Sequence, residues 1–561
     1  MPTTKELQPD RVIHNEHAKF SENFFESDII LQDYIQKYIP DHARKFIVPK
    51  WLKTGERAAC EMDELSIQAD QNGPELIKRD KWGEDLNEIR FHPAYWKLMD
   101  VAVESWMMRI KWDSQYRSRF AGYSHSLGFI SGYLYSLSEM GQYCPLCMTD
   151  GAARLIDCYA DDETRKRILP GFSSQNGRSL TTGAMYLTEK SGGSDVGANL
   201  MKAIHEKGRW YRLYGEKWFC SNANADVAMV LARTDPEKPG TRGLSLFLHE
   251  KILEDGTPNQ PEIIRVKEKM GVRSMASAEC QFNGQKALLI GDEFEGMKMM
   301  LDMINLSRIY NSVAGVSGTR RALIEAYQFV TNRRAFGSNL MDHALIREKL
   351  HELGALHVGN FLLVWRMLRA LDRSDMGDEK ESQLLRMIIP MAKWWSAETS
   401  VYVARESMEL MGGIGYIEDQ VMPKLFRDVN VLPIWEGSGN IIVLDMLRAM
   451  EKSEGMHLLK EEIEHLIGQS GESKKMNSIS DQIFRRVEQL GSLDRDECEA
   501  TAKPLFRELI HLYQSALMLQ EEFDWAEMAY LWYRDRVMSD STNPVKPETK
   551  ENIAKLIAWD V

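Results

Sequence analysis

The feature that most constrains the fold is a change of sequence pattern near Leu180. From there to about Asp292, clusters of aromatic and β-branched residues alternate with turn residues such as Asp235-Pro236 and Pro239-Gly240. This alternation predicts a β-rich domain of roughly 110 residues. The flanking stretches include long segments without glycine, and their apolar residues recur at spacings of three and four, which predicts helices. The chain is therefore expected to be an α+β protein.

The pattern divides the chain into four segments. We predict an N-terminal helical domain over residues 1–179 and a β domain over 180–292. A C-terminal helical bundle is predicted over 293–450, and an additional helical extension over 451–561.

Composition and charge exclude several function classes. The 561 residues include 83 acidic and 70 basic side chains, so the net charge is -13, and nucleic acid or anionic membrane would repel such a chain. Seven cysteines are too few for a disulfide framework and fit a reducing compartment. The sequence has no apolar run long enough to span a membrane, and its first twenty residues resemble neither a secretory signal nor a mitochondrial presequence. The expected location is the cytoplasm.

Several familiar motifs are missing or incomplete. There is no P-loop and no Gly-x-Gly-x-x-Gly after a predicted strand, so a Rossmann nucleotide site is not expected. His351 lacks a second histidine four residues later, because Ala355 stands there, and no metal site is predicted. His357 fills a position in an apolar helical stripe, which favours a packed histidine over a ligand. The segment Cys144-Pro145-Leu146-Cys147 has redox spacing, but its helical context argues against a redox role.

Three separated segments carry residues suited to chemistry. Leu187–Asp195 combines small residues and hydroxyls, which let backbone amides approach a polar ligand. Lys217–Asn222 offers an aromatic face and, two residues further on the same face of a strand, a hydroxyl. Ile434–Asn440 places the carboxylate of Glu436 beside apolar neighbours, where desolvation would raise its pKa as a general base requires. Taken singly, the three also fit a Gly-rich turn, core packing and an exposed loop acid.

In this order the segments resemble the acyl-CoA dehydrogenase flavoproteins. Two further matches stand between the second and third segments, Arg333-Arg334-Ala335-Phe336-Gly337 and Gly412-Gly413-Ile414-Gly415-Tyr416, and the resemblance covers about residues 180 to 450. A narrower resemblance, to the AidB-like branch of that family, covers nearly the whole chain. It is carried by Arg90-Phe91-His92-Pro93, Cys144-Pro145 with Met148-Thr149, Thr188-Glu189-Lys190 and the complete segment Ile434–Asn440.

The resemblance implies a fold and a cofactor. The fold would be acyl-CoA dehydrogenase-like, with the four segments in the order given, and FAD would lie between subunits of a homotetramer. The implied FAD contacts are Leu187, Thr188, Gly193, Ser194, Trp218, Phe219, Ser221, Arg333, Phe336, Gly412, Gly413, Trp435, Ser438 and Asn440. Phe219 aligns with a tryptophan that stacks on the flavin ring in the general family, and Trp218 lies one position earlier, as in the AidB-like branch.

The same resemblance implies a reaction. Glu436 would remove the α-proton of a fatty acyl-CoA thioester while hydride leaves Cβ for flavin N5. Ser194 and Arg308 are the implied substrate contacts. A few members carry the base on a helix instead, but Ser307 stands at that position and cannot serve.

An alternative is a flavoprotein of low turnover that binds or sequesters a fatty acyl chain or acyl-CoA. It is motivated by Asn305, Phe219 and Glu409, which depart from the family pattern. Nucleic-acid protection, suggested by the AidB-like branch, is disfavoured by charge. Residues 451–561 contain 14 basic and 22 acidic side chains, a net charge of -8, whereas a domain that neutralises phosphates should be basic.

Overall fold

The computed structural model describes residues 21–538 and 546–560. The helices of this part are α1 (Phe24–Ser27), α2 (Ile29–Tyr38), α3 (Asp41–Cys60), α4 (Met62–Gln71), α5 (Pro93–Glu104), α6 (Arg109–Trp112), α7 (Ser114–Arg119), α8 (Ser124–Ser136), α9 (Tyr143–Tyr159), α10 (Asp162–Ile168), α11 (Gly296–Asn332), α12 (Ala344–Asp375), α13 (Glu379–Met411), α14 (Val421–Val429), α15 (Gly439–Lys452), α16 (Gly455–Gly468), α17 (Ser473–Leu490), α18 (Arg495–Met518), α19 (Asp524–Trp532) and α20 (Lys550–Ile557). The strands are β1 (Glu75–Arg79), β2 (Asp85–Arg90), β3 (Gly183–Tyr186), β4 (Lys202–Lys207), β5 (Trp210–Ser221), β6 (Val227–Arg233), β7 (Leu244–Glu250), β8 (Glu262–Val266), β9 (Ser277–Ile290), β10 (Arg334–Ala335) and β11 (Ser338–Asn339).

The described chain forms two compact units. One is built from residues 21–60, 315–429 and the described residues after 441, and it is mainly helical. The other is built from residues 61–314 and 430–441, and it contains the large sheet together with α4 to α10. Helices, then a sheet, then helices is the predicted α+β order. The four predicted segment boundaries stay predictions.

The large sheet has seven strands and closes on itself. Strands β6, β4, β5, β9 and β7 follow one another by hydrogen bonding, and β7 also pairs with β6, so these five strands form a ring. Strand β3 adds to β6 in parallel, and β8 adds to β9 in antiparallel fashion. The inner residues are apolar, as alternation in the sequence predicts; among them are Leu213, Phe247, Ile263, Phe282 and Leu289.

A short hairpin interrupts the predicted N-terminal helices. Strands β1 and β2 pair in antiparallel fashion, and the sequence pattern did not predict them. The turn between them is organised by Asp80, whose side chain accepts hydrogen bonds from the amides of Trp82 (2.8 Å) and Glu84 (2.9 Å). Gly83 supplies the positive φ, +89°, that this turn requires.

In the helical unit, the predicted core position of His357 is confirmed. Its ring is fully buried on α12, and its Nδ1 lies 3.0 Å from the hydroxyl of Thr319. Burial, and then the charge of Arg320, hold the pKa of His357 well below its usual value. Arg320 itself is completely buried and pairs with Asp28 at 2.8 Å, while it donates to the carbonyl of Ile557 at 2.6 Å. These bonds attach the last helix, α20, to the core of this unit.

Within residues 21–538 and 546–560, every helix is too short or too polar to serve as a membrane span.

Stability in mild acid should depend on His249, which lies in β7 and is 3% exposed. Burial lowers the pKa of His249 from 6.5 to about 4, although its ring donates to the carbonyl of Asn259. The folded form therefore binds this proton less readily than the unfolded chain. The contribution of neutral His249 to the free energy of unfolding is complete above pH 6.5. It is lost as pH falls towards 4, by about 1.4 kcal/mol per pH unit. We expect His249→Gln to make the free energy of unfolding, measured with urea between pH 7 and 5, correspondingly less dependent on pH. An equal slope in variant and parent would contradict this assignment.

Candidate active site

The Gly-rich segment forms a tight loop. The backbone groups of Glu189 and Gly192 exchange two hydrogen bonds, at 3.1 and 3.2 Å, which closes the turn. A side chain at Gly192 would collide with the carbonyl of Asp195, so only glycine fits there. The loop leaves Gly193 and Ser194 exposed. Backbone and a hydroxyl are therefore exposed at this loop, and their contact with a ligand stays a prediction.

A buried ion pair fixes this loop to the sheet. Lys217, on β5, is completely buried and its Nζ lies 2.7 Å from Oε1 of Glu189. The same Nζ donates to the carbonyl of Leu187 at 3.2 Å. Burial lowers the pKa of Lys217, and the carboxylate of Glu189 opposes that effect. The amides of Leu200 and Met201 also donate to Glu189, so this carboxylate is well satisfied.

A β-bulge follows Lys217 on the same strand. Lys217 pairs with Cys280 and Cys220 with Ala278, so β5 has one residue more than β9 over this interval. The bulge lets the amide of Trp218 donate to the carbonyl of Thr188 at 2.9 Å. It also turns Phe219 outward, where its ring is 54% exposed. An exposed aromatic ring beside the Gly-rich loop is a platform on which a planar group can stack.

Basic side chains lie over this aromatic pair. The Nζ of Lys267 is 3.6 Å from the ring centroid of Trp218 and 4.7 Å from that of Phe219. Lys190 approaches Trp218 from the loop at 4.5 Å. Such cation–π contacts restrain the indole and make the surroundings of both rings electropositive.

Cys144 interacts with both Ser221 and Glu436 in the unit that contains the sheet. The thiol of Cys144 is hydrogen-bonded to the hydroxyl of Ser221. Burial, and then the nearby carboxylate of Glu436, raise the pKa of Cys144 to about 12. Cys147, one helical turn further on α9, also has its pKa raised, mainly by burial. Both thiols therefore stay protonated near neutral pH, and the absence of a redox role stays a prediction.

Glu436 sits in an unusual backbone conformation. Its φ is +57°, in the left-handed region, which costs a residue with a side chain about 1 to 2 kcal/mol. Arg308 on α11, only 7% exposed, donates from Nε to the carbonyl of Glu436 at 3.2 Å. Asn311, one helical turn on, donates to the carbonyl of Leu432 at 3.1 Å. The helix thus holds the strained segment through main-chain carbonyl groups.

The residues close to Glu436 in the sequence are half-buried or exposed. Trp435 is half-buried, and its amide donates to the carbonyl of Val431 at 3.0 Å. Ser438 and Asn440 are exposed, on either side of the residue that begins α15. The hydroxyl of Ser307 donates to the carbonyl of Ile304 at 2.8 Å, so this side chain is committed to its own helix.

The structure places four predicted residues in the helical unit. Arg333 is half-buried and precedes the small β10–β11 hairpin, at whose tip Phe336 is 96% exposed with a φ of +53°. Gly412, with a φ of +63°, ends α13, and the space around Gly412 and Gly413 would be open to an added side chain. Phe336, Gly412 and Gly413 are exposed, and their proposed contact with a cofactor stays a prediction, as does that of Arg333.

Sequence reasoning missed Glu189 and Lys217 as a pair. A signal for Lys217 was available, because it shares the odd-numbered face of β5 with the buried Tyr211 and Leu213. A lysine on that face needs a buried partner. Nothing in the local pattern identifies Glu189 as that partner, because the two residues are separated by a turn and two strands. The role of Arg308 in holding Glu436 by its carbonyl was also not predicted.

Three family models match the chain in order. These are the AidB N-terminal domain over residues 15–176, the acyl-CoA dehydrogenase middle domain over 184–284 and the acyl-CoA dehydrogenase C-terminal domain over 295–451. Two curated relatives match most of the chain. The putative acyl-CoA dehydrogenase AidB of Escherichia coli is 34% identical, with 76% of this chain and 79% of that protein covered. Acyl-CoA dehydrogenase family member 11 of Caenorhabditis elegans is 29% identical, with 90% and 84% covered.

A solved structure matches to a similar extent. Caenorhabditis elegans ACDH-11 in complex with C11-CoA has a TM-score of 0.84 and 28% sequence identity, and the match covers 93% of this chain and 92% of that one. The match extends beyond residue 451, where the acyl-CoA dehydrogenase C-terminal domain ends.

Proposed function

The chain belongs to the AidB-like branch of the acyl-CoA dehydrogenases, FAD-dependent oxidoreductases that act on CH–CH donors, and we propose that it oxidises a fatty acyl-CoA with Glu436 as the base. The observation that carries the proposal is the placement of Glu436. Its strained backbone is held by Arg308, and its carboxylate acts electrostatically on the thiol of Cys144. Strain retained at one acidic residue is typical of a functional site.

The residues present fit FAD. The exposed ring of Phe219 offers a stacking surface, and the exposed backbone around Gly193 would admit a phosphate or ribityl chain without steric hindrance. The nearby ammonium groups of Lys267 and Lys190 suit an anionic cofactor. When bound, FAD supplies the acceptor for the hydride. We propose contacts with Leu187, Thr188, Gly193, Ser194, Trp218, Phe219, Ser221, Trp435, Ser438 and Asn440 on this basis.

The remaining proposed FAD contacts belong to the helical unit. Arg333, Phe336, Gly412 and Gly413 would hold the adenosine half of a cofactor shared with a neighbouring subunit of a homotetramer. The 96% exposure of Phe336 supports this, because so large an apolar ring is otherwise left in water.

In the proposed reaction the protein supplies a base and a positioned substrate. The Glu436 carboxylate takes the α-proton, and general-base catalysis of this kind contributes about 10²- to 10⁴-fold in rate. Arg308 keeps the Glu436 segment in place through its carbonyl, and with Ser194 it is the proposed contact for the acyl-CoA. Burial keeps the thiols of Cys144 and Cys147 neutral, so they add no charge to the surroundings of the Glu436 carboxylate.

Acyl-CoA should bleach the flavin of the purified protein. We expect an anaerobic titration with acyl-CoAs of graded length to remove the visible flavin absorbance for one length class. Chains near eleven carbons are the first choice, because the Caenorhabditis elegans relative was solved with C11-CoA. Acyl-CoA that perturbs the spectrum without bleaching it would favour the alternative, a low-turnover acyl binder.

That alternative has one structural observation in its favour. Arg308 donates to Asn305 at 3.3 Å, and this asparagine stands where the family usually has an aspartate. An acyl-CoA bound at this point would therefore meet a neutral amide in place of a carboxylate. A cytoplasmic location and the lack of nucleic-acid binding stay predictions.

A further inference from the structure

A single arginine joins the end of the Gly-rich segment to a second turn in the unit that contains the sheet. Arg233 is the last residue of β6, and its guanidinium group donates only to main-chain carbonyl groups in the described part of the chain. These carbonyl groups belong to Gly197, Asn199, Lys238 and Gly240. The first two lie directly after the segment Leu187–Asp195, and the other two lie in the turn between β6 and β7.

Every nitrogen of the Arg233 side chain is used in this contact. Nε donates to Asn199 at 3.2 Å, and Nη2 donates to Gly197 at 2.9 Å and to Asn199 at 3.2 Å. Nη1 donates to Lys238 at 2.7 Å, and both Nη atoms lie 3.2 Å from the carbonyl of Gly240. A planar fork with five N–H donors can bridge two chain segments in this way, whereas lysine has one nitrogen with which to do so.

The turn between β6 and β7 has supports of its own. The amide of Thr234 donates to the carbonyl of Gly243 at 3.2 Å, which closes the turn. The Nζ of Lys238 lies 3.1 Å from the ring centroid of Phe294, just before α11. A side chain at Gly243 would collide with Nη1 of Arg233, so only glycine fits there. This turn therefore gives Arg233 a fixed point from which to hold the Gly-rich segment.

On the other side, Arg233 completes the closure of that segment. Asn199, whose carbonyl accepts two of the Arg233 bonds, is fully buried, and its side-chain amide donates to the carbonyl of Leu187 at 2.7 Å. The two ends of the segment are thus bonded to each other, and the exposed residues Gly193 and Ser194 lie between them. Lys217 holds the first end, as described above, and Arg233 holds the second.

We propose that Arg233 is a positioning residue for the cofactor, which keeps the end of the Gly-rich segment in place so that Gly193 and Ser194 are presented to FAD. This inference rests on the proposed FAD contacts of that segment. Arg233 acts through the segment and not by touching FAD, because all of its side-chain nitrogen atoms already bond within the protein. A loop that is already ordered binds its ligand more tightly than a mobile loop. Loss of the fork should therefore speed the release of FAD and disturb the orientation of the flavin.

The test is the release of FAD from the purified holoprotein, followed by flavin fluorescence after dilution. We expect Arg233→Met to release FAD about tenfold faster than the parent, in line with the loss of hydrogen bonds to a charged group. Arg233→Lys keeps the charge but reaches fewer carbonyls, so its rate should lie between those of the parent and Arg233→Met. The visible circular dichroism of the bound flavin, recorded with excess FAD, should change in both variants, because it reports the surroundings of the flavin ring.

Two control variants separate this role from a general loss of stability. Leu231, on the same strand, is fully buried, so Leu231→Ala creates a cavity and should lower the free energy of unfolding in urea. Arg242 is exposed in the same turn as Lys238, and Arg242→Gln removes a charge without removing the fork. Both variants should release FAD within about twofold of the parent rate and keep the dichroism of the parent flavin.

The inference would be wrong if Arg233→Met kept both the release rate and the flavin dichroism of the parent. It would also be wrong if Leu231→Ala released FAD as fast as Arg233→Met, since the effect would then follow stability alone. Gly193→Asp, which places a negative charge at a proposed FAD contact, shows which premise fails. Fast release from Gly193→Asp but not from Arg233→Met would overturn the role of Arg233 only. Parent-like release from both would overturn the proposed contacts of the segment as well.

Discussion

Glu436→Gln is expected to lower kcat for acyl-CoA oxidation by about 10³-fold while the flavin stays bound. Glutamine has the same shape as glutamate, so the bond from Arg308 to the carbonyl of residue 436 is preserved. Glutamine cannot accept the α-proton, however. Ser307 cannot replace the base, because its hydroxyl is hydrogen-bonded to a carbonyl of its own helix. Steady-state turnover with the best acyl-CoA, measured beside the visible spectrum, checks both halves of the prediction.

The control for this variant is Glu237→Gln, an exposed acid in the loop after β6. It should turn over within about twofold of the parent, because it removes an exposed carboxylate that has no role in the proposed reaction. If Glu436→Gln also kept turnover within a few-fold, Glu436 would not be the base. The protein would then be better described as an acyl binder, whatever its resemblance to dehydrogenases.

The strain at this position allows a second comparison. Glycine adopts a φ of +57° without steric cost, whereas glutamate pays about 1 to 2 kcal/mol for it. Glycine also loses more backbone entropy on folding, by about 0.5 to 1 kcal/mol, so the two effects nearly cancel. Glu436→Gly should therefore be inactive and yet at least as stable as the parent. That outcome would indicate that the side chain of Glu436 serves the chemistry and not the fold.

Much of the fold was predictable from the sequence because it follows from periodicity. The helical stripe through His357 and the alternation along β5 each report which face is buried. The loop Leu187–Asp195 was also predictable from the sequence, because the turn itself requires its glycines. Trp435, Glu436 and Ser438 are close in the sequence, so their proximity could be predicted without knowledge of the tertiary structure.

The rest depends on contacts between distant segments. The hairpin of β1 and β2 lies in the segment that was predicted to be helical. The sequence pattern missed it because its turn is set by one side chain, that of Asp80. The bulge that exposes Phe219 arises from the register between β5 and β9, which no single strand encodes.

The buried pair of Lys217 and Glu189 is another such long-range contact, and its loss should be costly. Lys217→Met leaves the Glu189 carboxylate buried without its cation, and breaking one side of such a pair typically costs about 3 to 5 kcal/mol. The variant also removes the bond from Nζ to the carbonyl of Leu187, which anchors the proposed cofactor loop. We therefore expect a lower free energy of unfolding in urea together with partial loss of FAD.

A double variant separates charge from packing. In Lys217→Met with Glu189→Gln the uncompensated charge is gone, and the glutamine oxygen can still accept from the amides of Leu200 and Met201. Most of the lost stability should therefore return, with a coupling of several kcal/mol between the two sites. Lys207→Met, on the exposed face of β4, should change stability by less than about 0.5 kcal/mol. A Lys217→Met protein within about 1 kcal/mol of the parent would show that Glu189 is already satisfied by backbone amides, and the loop would then owe its shape to Gly192 and not to the ion pair.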